Sequence, residues 1–321
     1  MYMRKAGLLL LLLGGTFANL QAEPYSHSED VTTQPQTFLA HRLLTADSIR
    51  YCVAAYPSTV SSSDIDTLVQ AALREWTHGI ALKIRQSGRE EDFKDILTTL
   101  EKPLTLQAVP GCAVPAKIQE TPAQPSAQAD IIFVISGKYC EKEFRKTTSF
   151  YSPATDKRGP FICVLENGAE NPLREIYANE YLPQATSPAA QKILQERREL
   201  FNQIARGDYS SAQQQSLWNT NRFFSYDGPT LFAIIIHELG HAFGLGDEYI
   251  SSRPTNYASQ KAGDGIMKRL YEPIGCDEID GLITLLDRLN HTKRTFRSFC
   301  PGRNLIEDGT EHVYSGSPTR I

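Results

Sequence analysis

Residues 237–249 read HELGHAFGLGDEY, which sets His237 and His241 four apart with Glu238 beside the first. On an α-helix a four-residue step closes about one turn, so these two side chains lie on one face. Two imidazoles presented together can share one zinc ion, and a carboxylate next to the first can reach water at the metal without being a ligand. Two histidines do not complete a site. Gly244 can take the left-handed conformation that ends a helix and turns the chain back, and that return brings Asp247 to the metal. His, His and a carboxylate leave the fourth position open, which is the arrangement of a catalytic zinc rather than a structural one. The plainer alternative is a buried helix whose histidines merely satisfy hydrogen bonds. It would enclose two imidazoles and a carboxylate with no common partner, which is costly.

Such ligands need a rigid support, and the preceding residues supply one. Asp227 and Pro229 form a cap and first-turn pair, and the run from Leu231 to Ile236 is apolar on every side, so the helix they open is buried and runs until Gly244. Upstream, residues 48–56 have the β-formers of a strand, and Ser63 or Asp64 can cap a helix over 64–85. Its Ile65, Leu68, Ala72, Trp76, Ile80 and Ile84 recur at helical spacing and face a core. His78 on this helix has no metal-type residue four positions away and reads as an ordinary helix residue. Residues 129–137 form a continuous β-branched run, the mark of a central strand buried on both faces, and residues 160–168 form a further strand. An insert over 168–228, with a charged helical stretch at 187–207, either overhangs the cleft and tunes specificity or is a purely structural excursion. After it, residues 277–289 read as a helix with Ile279, Leu282, Leu285 and Leu286 facing the core.

Composition limits what this constellation can serve. The 321-residue chain carries a formal net charge of −4 with its basic residues scattered, so it offers no footprint for nucleic acid. Residues 1–22 have a short basic head, an apolar run too short to span a bilayer and small residues before Glu23, the build of a secretory signal peptide cut after Ala22. The expectation is a monomer exported to a periplasm or secreted, with no stable membrane insertion after cleavage. Residues 23–47 are polar and without period, and read as an N-terminal extension, either a solvated tail or a short pro-segment. In an oxidising compartment, Cys52, Cys112, Cys140, Cys163, Cys276 and Cys300 are expected to form three disulfides. Six cysteines allow fifteen pairings; the local choices are Cys140 with Cys163 and Cys276 with Cys300, leaving Cys52 with Cys112.

The stretch HELGHAFGLGD resembles the HExxHxxGxxH/D signature of the metzincin clan of zinc metallopeptidases, in its aspartate variant. The continuation into DEY is also similar to a bacterial group near the IgA peptidases. The order of a strand holding IRYCVAAY, a helix holding AALREW and a strand holding ADIIFVIS resembles the N-terminal subdomain of matrixin-like and astacin-like catalytic domains. The resemblance implies an α+β, metzincin-like zinc-peptidase domain over residues 48–321: a mixed sheet with a long backing helix, a central active-site helix and an irregular C-terminal subdomain with one helix. Met267, in DGIM, would supply the methionine turn beneath the metal. The clan often carries a tyrosine two residues after that methionine, a place held here by Arg269, so the resemblance leaves open whether Tyr249 or Tyr271 stabilises an oxyanion or contacts substrate. It further implies Zn2+ held by His237, His241 and Asp247, with Glu238 as general base toward a protein or peptide substrate. Two other classes fit the same residues: a zinc hydrolase of non-protein amide substrates such as cell-wall peptides, and a non-catalytic zinc-binding module. An intact Glu238 speaks against the last, because binding zinc does not require it.

Overall fold

The computed structural model describes residues 38–55, 62–111, 129–135, 149–152, 159–164, 195, 199–208, 231–245, 266–267, 273–292, 294–300 and 305–307. Among them the chain is α+β, built on a mixed five-stranded sheet. Strands β1 (Ser48–Ala55), β2 (Thr105–Ala108), β3 (Ile131–Ile135), β4 (Phe150–Ser152) and β5 (Phe161–Val164) lie in the order β2-β1-β3-β5-β4. All neighbours run parallel except β4, which is antiparallel to β5 and forms one edge. The β-branched run expected to be central is central: every residue of β3 is buried. The strand's alternation splits its side chains between two clusters. Ile131, Phe133 and Ile135 join the main core, while Ile132 and Val134 meet Phe161 and Cys163 on the other face.

The expected backing helix extends over 62–86 in three parts: α2 (Ser62–Arg74), a π-helical segment (Glu75–Gly79) and α3 (Ile80–Gln86). Ile65, Leu68, Ala72, Trp76, Ile80 and Ile84 are all fully buried. Four of the five steps between these residues are of four positions, and each overshoots the 3.6-residue turn by about 40°. A regular helix would therefore carry the stripe off the core. The π segment takes up an extra residue in the turn and returns Ile80 and Ile84 to the buried face, with Trp76 at the point of correction. The next helix is α4 (Lys94–Glu101), followed by α5 (Leu231–Phe243) and α6 (Cys276–Leu289). As expected, Ile279, Leu282, Leu285 and Leu286 of α6 face the core. A two-stranded hairpin pairs β6 (Thr295–Arg297) with β7 (Leu305–Glu307).

The chain enters the fold earlier than its composition suggested. Residues 38–45, read as part of a non-periodic extension, form helix α1 (Phe38–Thr45), and Leu39, Ala40 and Leu43 are buried in the main core against α5 and α6. Eight residues are too few to display a repeating stripe, so the signal was short rather than absent. Arg42 of α1 and Arg50 of β1 both pair with the buried carboxylate of Asp130 at 3.1 Å, tying the helix to the start of β3. The described part of the insert also joins the core: in the helical residues 199–205, Phe201 packs its ring 4.7 Å from Phe232 at the start of α5.

The Cys276–Cys300 disulfide forms as expected, with Cα atoms 5.0 Å apart, and staples α6 to the segment after β6. Cys52 and Cys163 are also disulfide-bonded. They lie on β1 and β5 with β3 between them, two strand spacings or about 9.6 Å apart, too far for one bridge. They therefore do not bridge each other, and their expected partners Cys112 and Cys140 lie outside the described residues. Residues 1–22, expected to be a signal peptide, and residues 23–37 lie outside the described residues too. Among the described residues no helix is long and apolar enough to cross a membrane.

Candidate functional site

Helix α5 is enclosed by the backing helix, α1 and the β4–β5 edge of the sheet. Twelve of its thirteen residues are buried, including His237 at 5% and Glu238 at 4% exposure, while His241 keeps partial access. The helix therefore holds two imidazoles and a carboxylate in a low-dielectric setting, and its position is set by apolar contacts along nearly its whole surface. One polar contact adds to them: the indole N–H of Trp76 donates to the carbonyl oxygen of Ile236 at 2.8 Å, immediately before His237. The Trp76 ring also lies 5.5 Å from that of Phe243 at the helix end.

The two histidines face one another at 4.9 Å between ring centroids, with their planes at 87°. Each has its Nδ1 engaged by a backbone carbonyl: His237 with Ile266 at 3.0 Å and His241 with Leu245 at 2.7 Å. A carbonyl oxygen only accepts, so each Nδ1 carries a proton and donates; in the neutral form of such a ring the lone pair sits on Nε2. This is the tautomer in which imidazole serves as a metal ligand through Nε2, with the other nitrogen held by a backbone oxygen. The donor set thus fits a zinc ion. Among the described residues no three His, Cys, Asp or Glu side chains converge as a metal-holding group; Asp247, the expected third ligand, lies outside them.

The turn after α5 accounts for the His241 contact. Gly244 has φ +106°, a conformation that side-chain-bearing residues avoid. Its N–H donates to the carbonyl of His241 at 3.0 Å, and the N–H of Leu245 donates to the carbonyl of Gly240 at 2.9 Å, the paired bonds of a Schellman ending. Leu245 is buried, and its carbonyl comes to rest beside the His241 ring. The glycine expected to end the helix does so, and the turn it makes brings the Leu245 carbonyl to Nδ1 of His241.

Met267 is fully buried against α5. A Cβ built on Gly240 would meet its Sδ at 2.3 Å and the Trp76 ring at 2.9 Å. Gly240 is therefore the gap through which the methionine reaches the helix between the two histidines. The backbone at Met267 is fixed from the other side: its N–H donates to Oε1 of Glu278 at 2.9 Å, and Glu278 is 0% exposed.

Sequence reasoning thus identified His237, Glu238, His241, Gly244 and Met267, which the structure brings together in and beside α5. Asp247, Tyr249 and Tyr271 lie outside the described residues. Reasoning from sequence missed Gly240, Trp76 and Glu278. Gly240 had a signal, since glycine inside a helix costs about 1 kcal/mol and invites a packing reason. Trp76 stood in the apolar stripe with nothing to mark its indole nitrogen as a partner of α5. Glu278 carried no signal beyond being an acidic residue in a first helical turn.

Comparison of the chain with protein-family profiles, with curated proteins and with solved structures finds no match.

Proposed function

We propose that this protein is an exported zinc-dependent endopeptidase of metzincin-like architecture. The observation that carries the reading is the matched pair of ring contacts on α5. Both histidines engage backbone carbonyls through Nδ1, the arrangement that suits a neutral imidazole to ligate through Nε2, and both lie on the helix that carries a buried glutamate. Two further features support it. The sheet, backing helix and buried central helix follow the order that the HELGHAFGLGD resemblance implies, and Met267 underlies the helix at Gly240.

In this reading His237 and His241 hold zinc through Nε2, with Asp247 as the third ligand. Zinc bound there supplies a Lewis acid that polarises a peptide carbonyl and lowers the pKa of water. Glu238, enclosed next to the first histidine, takes the proton from the attacking water on its carboxylate and returns it to the leaving amine. The backbone carbonyls of Ile266 and Leu245 keep both rings in the ligating tautomer throughout. The surrounding apolar helix holds the ligands at fixed depth, so little reorganisation accompanies the reaction.

Purified protein and its Glu238→Ala variant test this by metal analysis and casein cleavage. Wild type should hold about one zinc per chain and cleave, while the variant should hold zinc and lose at least about 100-fold in rate. Wild-type protein that takes up no zinc refutes the metal centre. Zinc-bound protein that cleaves no member of a broad peptide library refutes the peptidase assignment.

A further inference from the structure

Glu278 occupies the first turn of α6, where a carboxylate commonly caps the helix by accepting one nearby backbone N–H. One of its oxygens does this, with Oε2 accepting from Gly275 at 2.7 Å. A cap of that kind needs no burial and only one oxygen. Here the residue is fully enclosed, and Oε1 reaches eleven positions back to the N–H of Met267.

That N–H belongs to the same planar peptide unit as the carbonyl of Ile266, and the Ile266 oxygen accepts the Nδ1 proton of His237. The three groups form one line: imidazole N–H to peptide oxygen, peptide N–H to carboxylate. A charged acceptor at one end of a peptide polarises it and strengthens the oxygen at the other end, an effect of roughly 10–30% per bond in condensed phase. We propose that Glu278 is a positioning residue for His237, fixing the ring's orientation and its Nδ1–H tautomer through the Ile266–Met267 peptide. The proposal rests on the zinc reading above for its consequence, but the hydrogen-bonded line exists without metal.

A buried carboxylate needs a counter-charge, and Lys83 of α3 supplies it. Its ammonium donates to the carbonyl of Ile274, next to the capped Gly275. The stem of Lys83 retains some exposure while the nitrogen itself is enclosed. Desolvation lowers its pKa to about 8 against the opposing pull of Glu278 and Glu75, so the ammonium is still largely protonated at neutral pH. The backing helix thereby reaches the segment that leads into α6.

The test uses the full chain with its disulfides intact and two readouts. One is the 1H and 15N resonance of His237 Nδ1–H in zinc-free protein; the other is the zinc dissociation constant from chelator competition. Glu278→Gln keeps the shape but removes the charge, and should move the His237 resonance upfield and weaken zinc about 10-fold. Asp280→Asn is the control, because Asp280 is a buried carboxylate of the same helix that binds Ser298 and the N–H of Phe299 at 2.9 Å, away from Met267. It should lower thermal stability and leave both readouts where they are. If Glu278→Gln leaves the resonance in place, or Asp280→Asn moves it equally, Glu278 is a helix cap and the proposal is overturned. Should Glu278→Gln not fold, Lys83→Met with Glu278→Gln removes both charges and carries the same comparison. Wild-type protein that binds no zinc would overturn the function proposed above, while the resonance would still decide the role of Glu278.

Discussion

The middle and the C-terminal turn of α5 hold chemically equivalent histidines by opposite means. His241 is anchored by Leu245, four residues away, through a turn that its own helix ending creates. His237 is anchored by Ile266, twenty-nine residues away, on a peptide clamped in turn by Glu278 and packed by Met267. One support is built by local backbone chemistry and forms whenever the helix ends at Gly244. The other exists only when α6, the segment at Met267 and α5 have assembled. A histidine held locally and one held across the fold should therefore fail separately, and that difference can be measured.

Gly240→Ala should have the largest effect, because the added Cβ displaces Met267 Sδ and presses on the Trp76 ring, loosening the support of both histidines at once. Overpacking of this degree costs on the order of 3 kcal/mol, and zinc affinity should fall about 100-fold. Met267→Ala in the same chain restores space, so the double variant should be more stable than Gly240→Ala alone by thermal melting. Additive destabilisation would mean the methionine is not the obstacle.

Trp76→Phe separates the two histidines by acting at Ile236, beside His237. Losing the indole donor and part of the ring should cost about 2 kcal/mol in urea unfolding and disturb the His237 Nδ1–H resonance more than that of His241. Gly244→Ala is the mirror experiment. Forcing a Cβ into a left-handed backbone costs about 1–2 kcal/mol, and here His241 should lose its Nδ1–H signal first while His237 keeps its own.

The smallest effect is a pH dependence carried by Lys83 of the backing helix. Its folded pKa of about 8 lies below that of the unfolded chain, near 10.4. Between those values the unfolded state binds more protons, so this group's penalty is full below pH 8 and is relieved as pH rises toward 10. Urea unfolding at pH 7.5, 8.5 and 9.5 should show wild type gaining stability relative to Lys83→Met, by up to about 1.4 kcal/mol per pH unit at most. Parallel curves for the two proteins would place the Lys83 ammonium in water rather than against Glu278.

Much of this arrangement was legible before any coordinates. The continuous β-branched run marked β3 as the central strand, because only a strand covered on both faces tolerates apolar residues at every position. The stripe from Ile65 to Ile84 marked the backing helix, and its four-residue steps contained the π segment for a reader who added up the angles. Helix α1 was not legible as part of the fold, since eight residues show too little period to distinguish a docked helix from a polar tail.

The same division runs through the candidate site. The sequence alone determined the histidine pair, the adjacent Glu238 and the Gly244 ending, because helical geometry and glycine's freedom at positive φ act over a single turn. Which carbonyl receives His237, which residue needs to be small for Met267 to approach, and which carboxylate clamps the Ile266–Met267 peptide were decided only by the tertiary structure. Those contacts join residues from 11 to 29 positions apart, and no local preference of the chain specifies which distant groups packing will bring together.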